Sequence, residues 1–138
     1  MLEHGDAMAG RFCWVDLATP DAPGANAFYR EVFGWTAREQ PANGGSFTRL
    51  RLKDRDVGSL YQLSRAQIEQ GVPSHWTSYV GVRDIDDAVR RAVASGGRLM
   101  VRPFLVSGVA RIALIADVTG AHLGLWELPA AETEKRDG

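Results

Sequence analysis

The sequence predicts an α+β fold in which two βαβββ modules form a single domain. Three observations predict this class: two amphipathic helical segments that each follow a capping residue and end at glycine, short β-forming segments in the same order around both helices, and a constant offset between the two halves. A length of 138 residues suits one such domain.

The first module is predicted to hold one helix, flanked by strands. Thr19 is the expected cap and Pro20 suits the first helical position, so we expect the helix from about Pro20 to Phe33, with Gly34 as its left-handed end. Segments of β-forming composition lie at 12–18, 35–39, 47–53 and 57–63. This module therefore runs strand, helix, then three strands.

The second module repeats this order. Asp84 is the expected cap, apolar residues recur at helical spacing from Ile85 to Val93, and Gly96 and Gly97 end the helix. Strands are predicted at 77–82, 98–101, 110–116 and 123–128.

An offset of 63 residues relates the two halves. It takes Asp21 onto Asp84 and Gly34 onto Gly97, and few chance pairings would keep both helix ends in step. We therefore predict a single domain at residues 11–128, with module one at 11–63, a linker at 64–74 and module two at 75–128, followed by a flexible tail at 129–138.

The charge balance excludes some classes of partner. The 16 basic and 17 acidic residues give a net charge of −1, which provides no electrostatic surface for nucleic acid or anionic lipid. There is no run of 18 apolar residues and no apolar signal segment, so we expect a cytoplasmic protein without a membrane segment. The single cysteine, Cys13, agrees with a reducing compartment.

Several sequence blocks carry a family resemblance. They are Trp14-Val15-Asp16-Leu17, Thr19-Pro20-Asp21, Phe28-Tyr29-Arg30-Glu31-Val32-Phe33-Gly34-Trp35, Tyr79-Val80-Gly81-Val82-Arg83-Asp84 and Leu125-Trp126-Glu127. They resemble the glyoxalase, bleomycin-resistance and extradiol-dioxygenase superfamily, also called vicinal oxygen chelate, over residues 11–128. The resemblance implies a curved mixed sheet, here called the cup, with a ligand on its concave side and the helices on its convex side.

The resemblance also implies four inward positions that hold His, Gln or Glu in metal-dependent members. One lies on the first strand and one on the last strand of each module. Here they fall on Trp14 and Thr77, and near Tyr61 and Gly124. Trp and Gly give no donor, and Thr or neutral Tyr is a poor ligand, so we expect no metal and no other cofactor.

Strand alternation predicts the lining of the cup once Trp14 is placed inward. The residues of that parity are Trp14, Asp16, Ser59, Tyr61, Thr77, Tyr79, His122 and Trp126. Aromatic walls with a few polar groups are typical of a site for a planar organic ligand, although for each aromatic residue a core role is an even alternative. Gln62 then points to the helix side, which suggests a slipped register or an edge strand.

Among the titratable residues, Asp16 and His122 are the candidate catalytic pair for proton transfer, with an orienting role for His122 as the stronger alternative. Cys13 faces away from the cup and is expected to be an inert thiol. Arg49, Arg51 and Arg55 are predicted to form one solvated strand face.

Two functional hypotheses follow. The first is a non-catalytic protein that sequesters an aromatic or planar drug-like ligand without a metal, similar to the bleomycin-resistance members and thus to antibiotic resistance. The alternative is an enzyme of the same fold, an isomerase, lyase, hydrolase or dioxygenase, which acts through Asp16 and His122 or through a divalent metal. A pure interaction module is disfavoured. We also expect a homodimer, with Trp35, Trp76 and Phe104 as interface candidates.

Overall fold

The computed structural model describes residues 8–43 and 45–130. These residues divide into two compact units, one formed by Trp14–Thr77 and the other by the described parts of Met1–Cys13 and Ser78–Gly138. The predicted flexible tail lies, from residue 131 onward, outside the described residues. None of the helices within the described ranges has the length and apolar character needed to cross a bilayer.

Module one contains five of the main elements. They are β1 (Phe12–Thr19), α1 (Ala22–Phe33), β2 (Thr36–Ala42), β3 (Gly45–Leu52) and β4 (Arg55–Gln62). The strands lie in the order β2-β3-β4-β1, in which β1 pairs parallel with β4 and the other pairs are antiparallel. A short helix, α2 (Arg65–Glu69), follows within the predicted linker and begins with a capping box at Ser64.

Module two has the same succession. Its elements are β5 (His75–Val82), α3 (Ile85–Ala94), β6 (Arg98–Val106), β7 (Ala110–Ala116) and β8 (His122–Glu127), with strands in the order β5-β8-β7-β6. The parallel pair is β5 with β8, which repeats the pairing of β1 with β4. Two βαβββ modules are therefore present, and the predicted fold class is confirmed.

The start of α1 differs from the prediction. Asp21 caps the helix by accepting a hydrogen bond from the Gly24 amide at 3.0 Å, while the Thr19 hydroxyl accepts from the Asp21 amide at 3.2 Å. The expectation of a Thr19 cap and a Pro20 start was therefore wrong by two residues. A carboxylate is the better acceptor at the positive end of a helix, and it wins over the hydroxyl two residues earlier.

Each module buries one face of its sheet against its own helix. In module one, Leu17, Leu50 and Leu60 form the core and pack with Ala25 and Tyr29 of α1. Because side chains alternate along a strand, the residues next to these leucines point to the other face. Asp16, Arg49 and Ser59 are among them, and we call that side the polar face of module one.

Candidate functional site

A chain of hydrogen bonds joins three of the predicted residues on the polar face of module one. Asp16 on β1 is the register partner of Ser59 on β4. The Trp14 indole N–H donates to the Ser59 hydroxyl oxygen at 2.9 Å, and the Ser59 hydroxyl donates to Asp16 Oδ1 at 2.8 Å. Ser59 is buried and its hydroxyl is satisfied on both sides, so this arrangement fixes the carboxyl group and the indole relative to each other.

Burial determines the ionisation of Asp16. Loss of hydration raises the pKa of this carboxyl group from 3.8 to about 7, and the hydrogen bond from Ser59 offsets only part of that effect. The pKa of the Tyr61 phenol is also raised, first by burial and then by the negative charge of Asp16. Asp16 can therefore take up or release a proton near neutral pH, while Tyr61 stays protonated.

Two of the predicted lining residues in module two form an aromatic pair. The rings of Tyr79 on β5 and Trp126 on β8 meet edge to face with centroids 5.8 Å apart, and each residue is only 4% exposed. Tyr79 lies opposite Gly124, where a Cβ atom would overlap the tyrosine ring. The ring thus requires glycine at this position. Contact of either ring with a ligand stays a prediction.

The remaining predicted residues are Thr77 and His122. Thr77 is partly buried on β5, and His122 begins β8 with an exposed side chain opposite Ala116. Asp16 and His122 belong to different compact units. Their proton-transfer pairing stays a prediction.

The positions that would hold metal ligands are occupied by groups that do not fit a metal ion. The helix caps Asp21 and Asp84 are equivalent positions, so Asp16, five residues before the first cap, is equivalent to Tyr79, five residues before the second. On the neighbouring parallel strands, Asp16 pairs with Ser59 and Tyr79 pairs with Gly124. The equivalent of Gly124 is therefore Ser59, and the expected assignment to Tyr61 was wrong, because the last strand of module two is displaced by two residues relative to the 63-residue offset.

The corrected positions also lack groups that could coordinate a metal ion. In module one, the first-strand and last-strand positions are Trp14 and Ser59, which hydrogen bond to each other. In module two, the Tyr79 ring covers the last-strand position. Within residues 8–43 and 45–130, no three His, Cys, Asp or Glu side chains converge in a way that would hold a metal ion.

Sequence reasoning missed a charged cluster on the polar face. Arg49 and Arg51 on β3 both approach Asp56 on β4, with side chains that are only 23% and 26% exposed. The expectation of a solvated arginine face was therefore wrong for these two residues, whereas Arg55 is exposed. Strand alternation could have placed these arginines on the polar face, because Arg49 and Arg51 flank the core residue Leu50.

Comparison with known proteins supports the architecture. The model of the family described as "Glyoxalase/Bleomycin resistance protein/Dioxygenase superfamily" matches residues 11–123. Among solved structures, methylmalonyl-CoA epimerase from Mycobacterium tuberculosis superposes with a TM-score of 0.64 at 20% identity and covers 98% of this chain and 97% of its own. That likeness concerns the fold.

Two curated relatives are more similar in sequence. "Putative glyoxylase CFP32" of Mycobacterium tuberculosis is 34% identical over 116 residues, which is 83% of this chain and 44% of the relative. "Anthracycline biosynthesis protein DauV" of Streptomyces sp. (strain C5) is 31% identical over 132 residues, which is 85% of this chain and 46% of the relative. The chain thus spans less than half the length of these relatives.

Proposed function

The chain belongs to the glyoxalase/bleomycin resistance protein/dioxygenase superfamily, and from this we propose that it binds a planar aromatic organic molecule on the polar face of module one. The observation that carries the proposal is the hydrogen-bonded chain from Trp14 through Ser59 to Asp16. Trp14 and Tyr61 are partly buried aromatic groups, and Asp16 is a polar group fixed between them. This combination suits stacking with one oriented polar contact.

The name of one relative favours the same class of ligand. Anthracyclines are planar polycyclic aromatic compounds, and DauV is named as a protein of their biosynthesis. A protein that holds such a compound without changing it would act by sequestration, as in drug resistance.

A second candidate function is proton-transfer catalysis on the same ligand. The observation that favours it is the Asp16 carboxyl group, whose pKa of about 7 is suited to a general base or acid at neutral pH. Turnover by the wild type separates the two functions. Catalysis predicts that the wild type consumes its ligand and that Asp16→Asn binds without turnover, whereas sequestration predicts that both proteins bind the ligand and leave it unchanged.

We also propose that a second copy of the chain covers an aromatic cluster on the compact unit Trp14–Thr77, formed by Phe28, Tyr29, Phe33, Trp35 and Trp76. Tyr29 is its centre, with ring centroids 5.1 Å from Phe28, 5.4 Å from Trp35 and 5.6 Å from Trp76. Phe28 and Phe33 are more than half exposed, and contiguous exposed apolar surface marks an interface. Relatives of about twice this length have room for a second such domain in one chain.

The binding proposal is tested with 1,4-dihydroxyanthraquinone, an uncharged planar probe, by calorimetric titration. Trp14→Ala should weaken binding by about three- to tenfold, because it removes one stacking wall. Trp14→Phe should retain most of the affinity. Trp76→Phe, a change in the aromatic cluster instead, serves as the matched control and should bind like the wild type.

Two results would contradict the binding proposal. One is unchanged affinity in folded Trp14→Ala, which would make Trp14 a core residue. The other is stoichiometric Fe, Mn, Ni or Zn in freshly purified protein, because the proposal assumes that the ligand is held without a metal.

A further inference from the structure

We propose that the ligand of the polar face is a carboxylic acid whose carboxylate pairs with the Arg49 guanidinium. This inference rests on the proposed function and names the chemical class of its ligand. It makes Arg49 a specificity-determining residue for an aromatic acid.

The register of three strands places Arg49 beside the hydrogen-bonded chain. Arg49 on β3 is the partner of Ser59 on β4, and Ser59 is the partner of Asp16 on β1. Partners on adjacent strands point to the same face, and adjacent strands lie about 4.8 Å apart, so the backbones of Arg49 and Asp16 are roughly 10 Å apart. An aromatic ring system with one acidic substituent spans such a distance.

The charges around Arg49 leave at least one cation without a full counter-charge, and Arg38, its register partner on β2, adds a further, exposed cation. Arg49 Nε and Arg51 Nε approach the same atom, Asp56 Oδ1, at 3.5 and 3.3 Å. Arg51 has a second anchor, because its Nη2 donates to the Asp54 carbonyl oxygen at 2.6 Å. Arg51 is therefore the better held of the two, and Arg49 is the excess positive charge.

These contacts are ion pairs without hydrogen-bond geometry. Arg49 Nε, Arg51 Nε and Asp56 Oδ1 are buried, and none has a hydrogen-bond partner within the described part of the chain. A partly buried guanidinium is stabilised most by a carboxylate that accepts two parallel hydrogen bonds, which Asp56 does not provide. An anionic ligand would pair with the terminal nitrogens of the Arg49 guanidinium, because the Nε atom is buried and the side chain as a whole is 23% exposed.

Below neutral pH, Asp16 neutralises this charge only in part. Its Oδ1 atom accepts from Ser59, and burial raises the pKa of the carboxyl group to about 7. The polar face therefore combines a cation at Arg49 with a carboxyl group that is largely protonated in mildly acidic solution. An anion is favoured over a cation or a neutral group at such a face.

A structural role for the cluster is the competing explanation. The pairing of β3 with β4 shifts register between Leu50 and Arg51, and the ion pairs to Asp56 lie at this irregularity. If they serve only to hold it, then removing the charge of Arg49 or of Asp56 should affect stability in the same direction and should not act on ligand charge.

The experiment compares two probes that differ only in charge, anthraquinone-2-carboxylate and anthraquinone-2-carboxamide, by calorimetric titration at pH 6.5. The wild type should bind the carboxylate at least about tenfold more tightly than the carboxamide. Arg49→Gln should abolish this preference and leave carboxamide binding within about twofold. Arg55→Gln changes the same charge at an exposed position and should keep the preference.

Asp56→Asn is the decisive variant because a purely structural role predicts no change in the preference for the carboxylate. The variant frees both guanidinium groups, so carboxylate binding should become tighter by at least about threefold. Unchanged or weaker carboxylate binding in folded Asp56→Asn would overturn the proposal. If Arg49→Gln does not fold, Arg49→Lys and Asp56→Asn decide the matter, since Lys keeps the charge and should retain part of the preference.

Different results would overturn this inference and the proposed function. Equal binding of both probes by the wild type, or a preference that survives in Arg49→Gln, would overturn this inference and leave the proposed function standing. Absence of binding for both probes and for 1,4-dihydroxyanthraquinone would overturn the proposed function and this inference together.

Discussion

Asp16 shows how one residue acquires its properties from its neighbours. Its place on the polar face follows from alternation along β1, but its pKa follows from burial, which no pattern in the sequence reports. The same holds for Arg49, whose neighbours at Ser59 and Asp56 come from strand pairing. Sequence reasoning therefore found Trp14, Asp16 and Ser59 by parity, and missed the charges that distinguish this face.

The raised pKa of Asp16 predicts a dependence of stability on pH. Between about pH 4 and pH 7 the unfolded chain loses the Asp16 proton while the folded protein keeps it, so the free energy of unfolding falls as pH rises through this window. The loss amounts to as much as ~4 kcal/mol and is complete above pH 7. Asp16→Asn removes this contribution, so its stability relative to the wild type should rise from pH 4.5 to pH 8 in urea unfolding.

Asp54→Asn is the matched control for this measurement. Asp54 is an exposed aspartate with a left-handed backbone (φ 67°), a conformation that Asn tolerates, so this variant shows what the same substitution does at an exposed position. A constant difference for Asp16→Asn would mean that Asp16 is hydrated and has an ordinary pKa.

The helices and strands were predictable to within a few residues, and the deviations have local causes. The strand predicted at 35–39 extends to Ala42 as β2, and the strand predicted at 98–101 extends to Val106 as β6. The extra residues pair with β3 and β7, and such pairing does not show in the residue pattern of a single strand. Gln62 is the clearest case. Its position on the helix side suggested a slipped register or an edge strand, yet β4 pairs regularly with β1 there.

The reason is that Gln62 serves the beginning of α1. Its carboxamide oxygen accepts from the Ala22 amide at 2.9 Å, and its Nε2 donates to the Pro20 carbonyl at 2.7 Å. The first turn of a helix leaves amides without partners, and this side chain satisfies one of them. A polar residue that points to the helix side at the end of β4 therefore indicates a cap, because the beginning of α1 lies beside the end of this strand.

Gln62→Met should lower the free energy of unfolding by about 1 kcal/mol, since it keeps the length of the side chain and removes its hydrogen bonds to Ala22 and Pro20 and a longer one to the Leu63 carbonyl. Chemical denaturation of the purified variant measures this change. Gln70→Met, at an exposed position after α2, should have less than half the effect. Equal stability of Gln62→Met and the wild type would show that water replaces the carboxamide without cost.

At the level of the whole molecule, the internal repeat was the strongest guide and also the source of one error. The offset of 63 residues correctly related the two helix caps, Asp21 and Asp84. The offset failed on the last strand of each module. Ser59 pairs with the first strand of module one as Gly124 pairs with the first strand of module two, and these two residues are 65 apart. A repeat fixes the order of elements, while insertions of a residue or two between them change which side chains are equivalent.

The aromatic cluster on the unit Trp14–Thr77 predicts the assembly of the protein. The sequence indicated Trp35, Trp76 and Phe104 as interface candidates, but Trp35 packs against the core of module one and is partly buried. Phe28 and Phe33 are 58% and 53% exposed and Trp76 is 40% exposed, so the cluster presents several aromatic side chains to solvent, and such patches often mark interaction sites. We therefore expect a dimer at tens of micromolar in sedimentation velocity.

The double variant Phe28→Ser/Phe33→Ser should raise the dissociation constant of this dimer by at least about tenfold, because buried aromatic residues dominate the energy of such interfaces. Neither ring is buried within the chain, so the variant should keep a thermal unfolding midpoint close to that of the wild-type monomer. Phe12→Ser removes an equally exposed phenylalanine outside the cluster, at 66% exposed, and should leave the dimer intact. A wild-type monomer, or a dimer that Phe12→Ser weakens as much as the double variant does, would show that the cluster is not the surface where two copies meet.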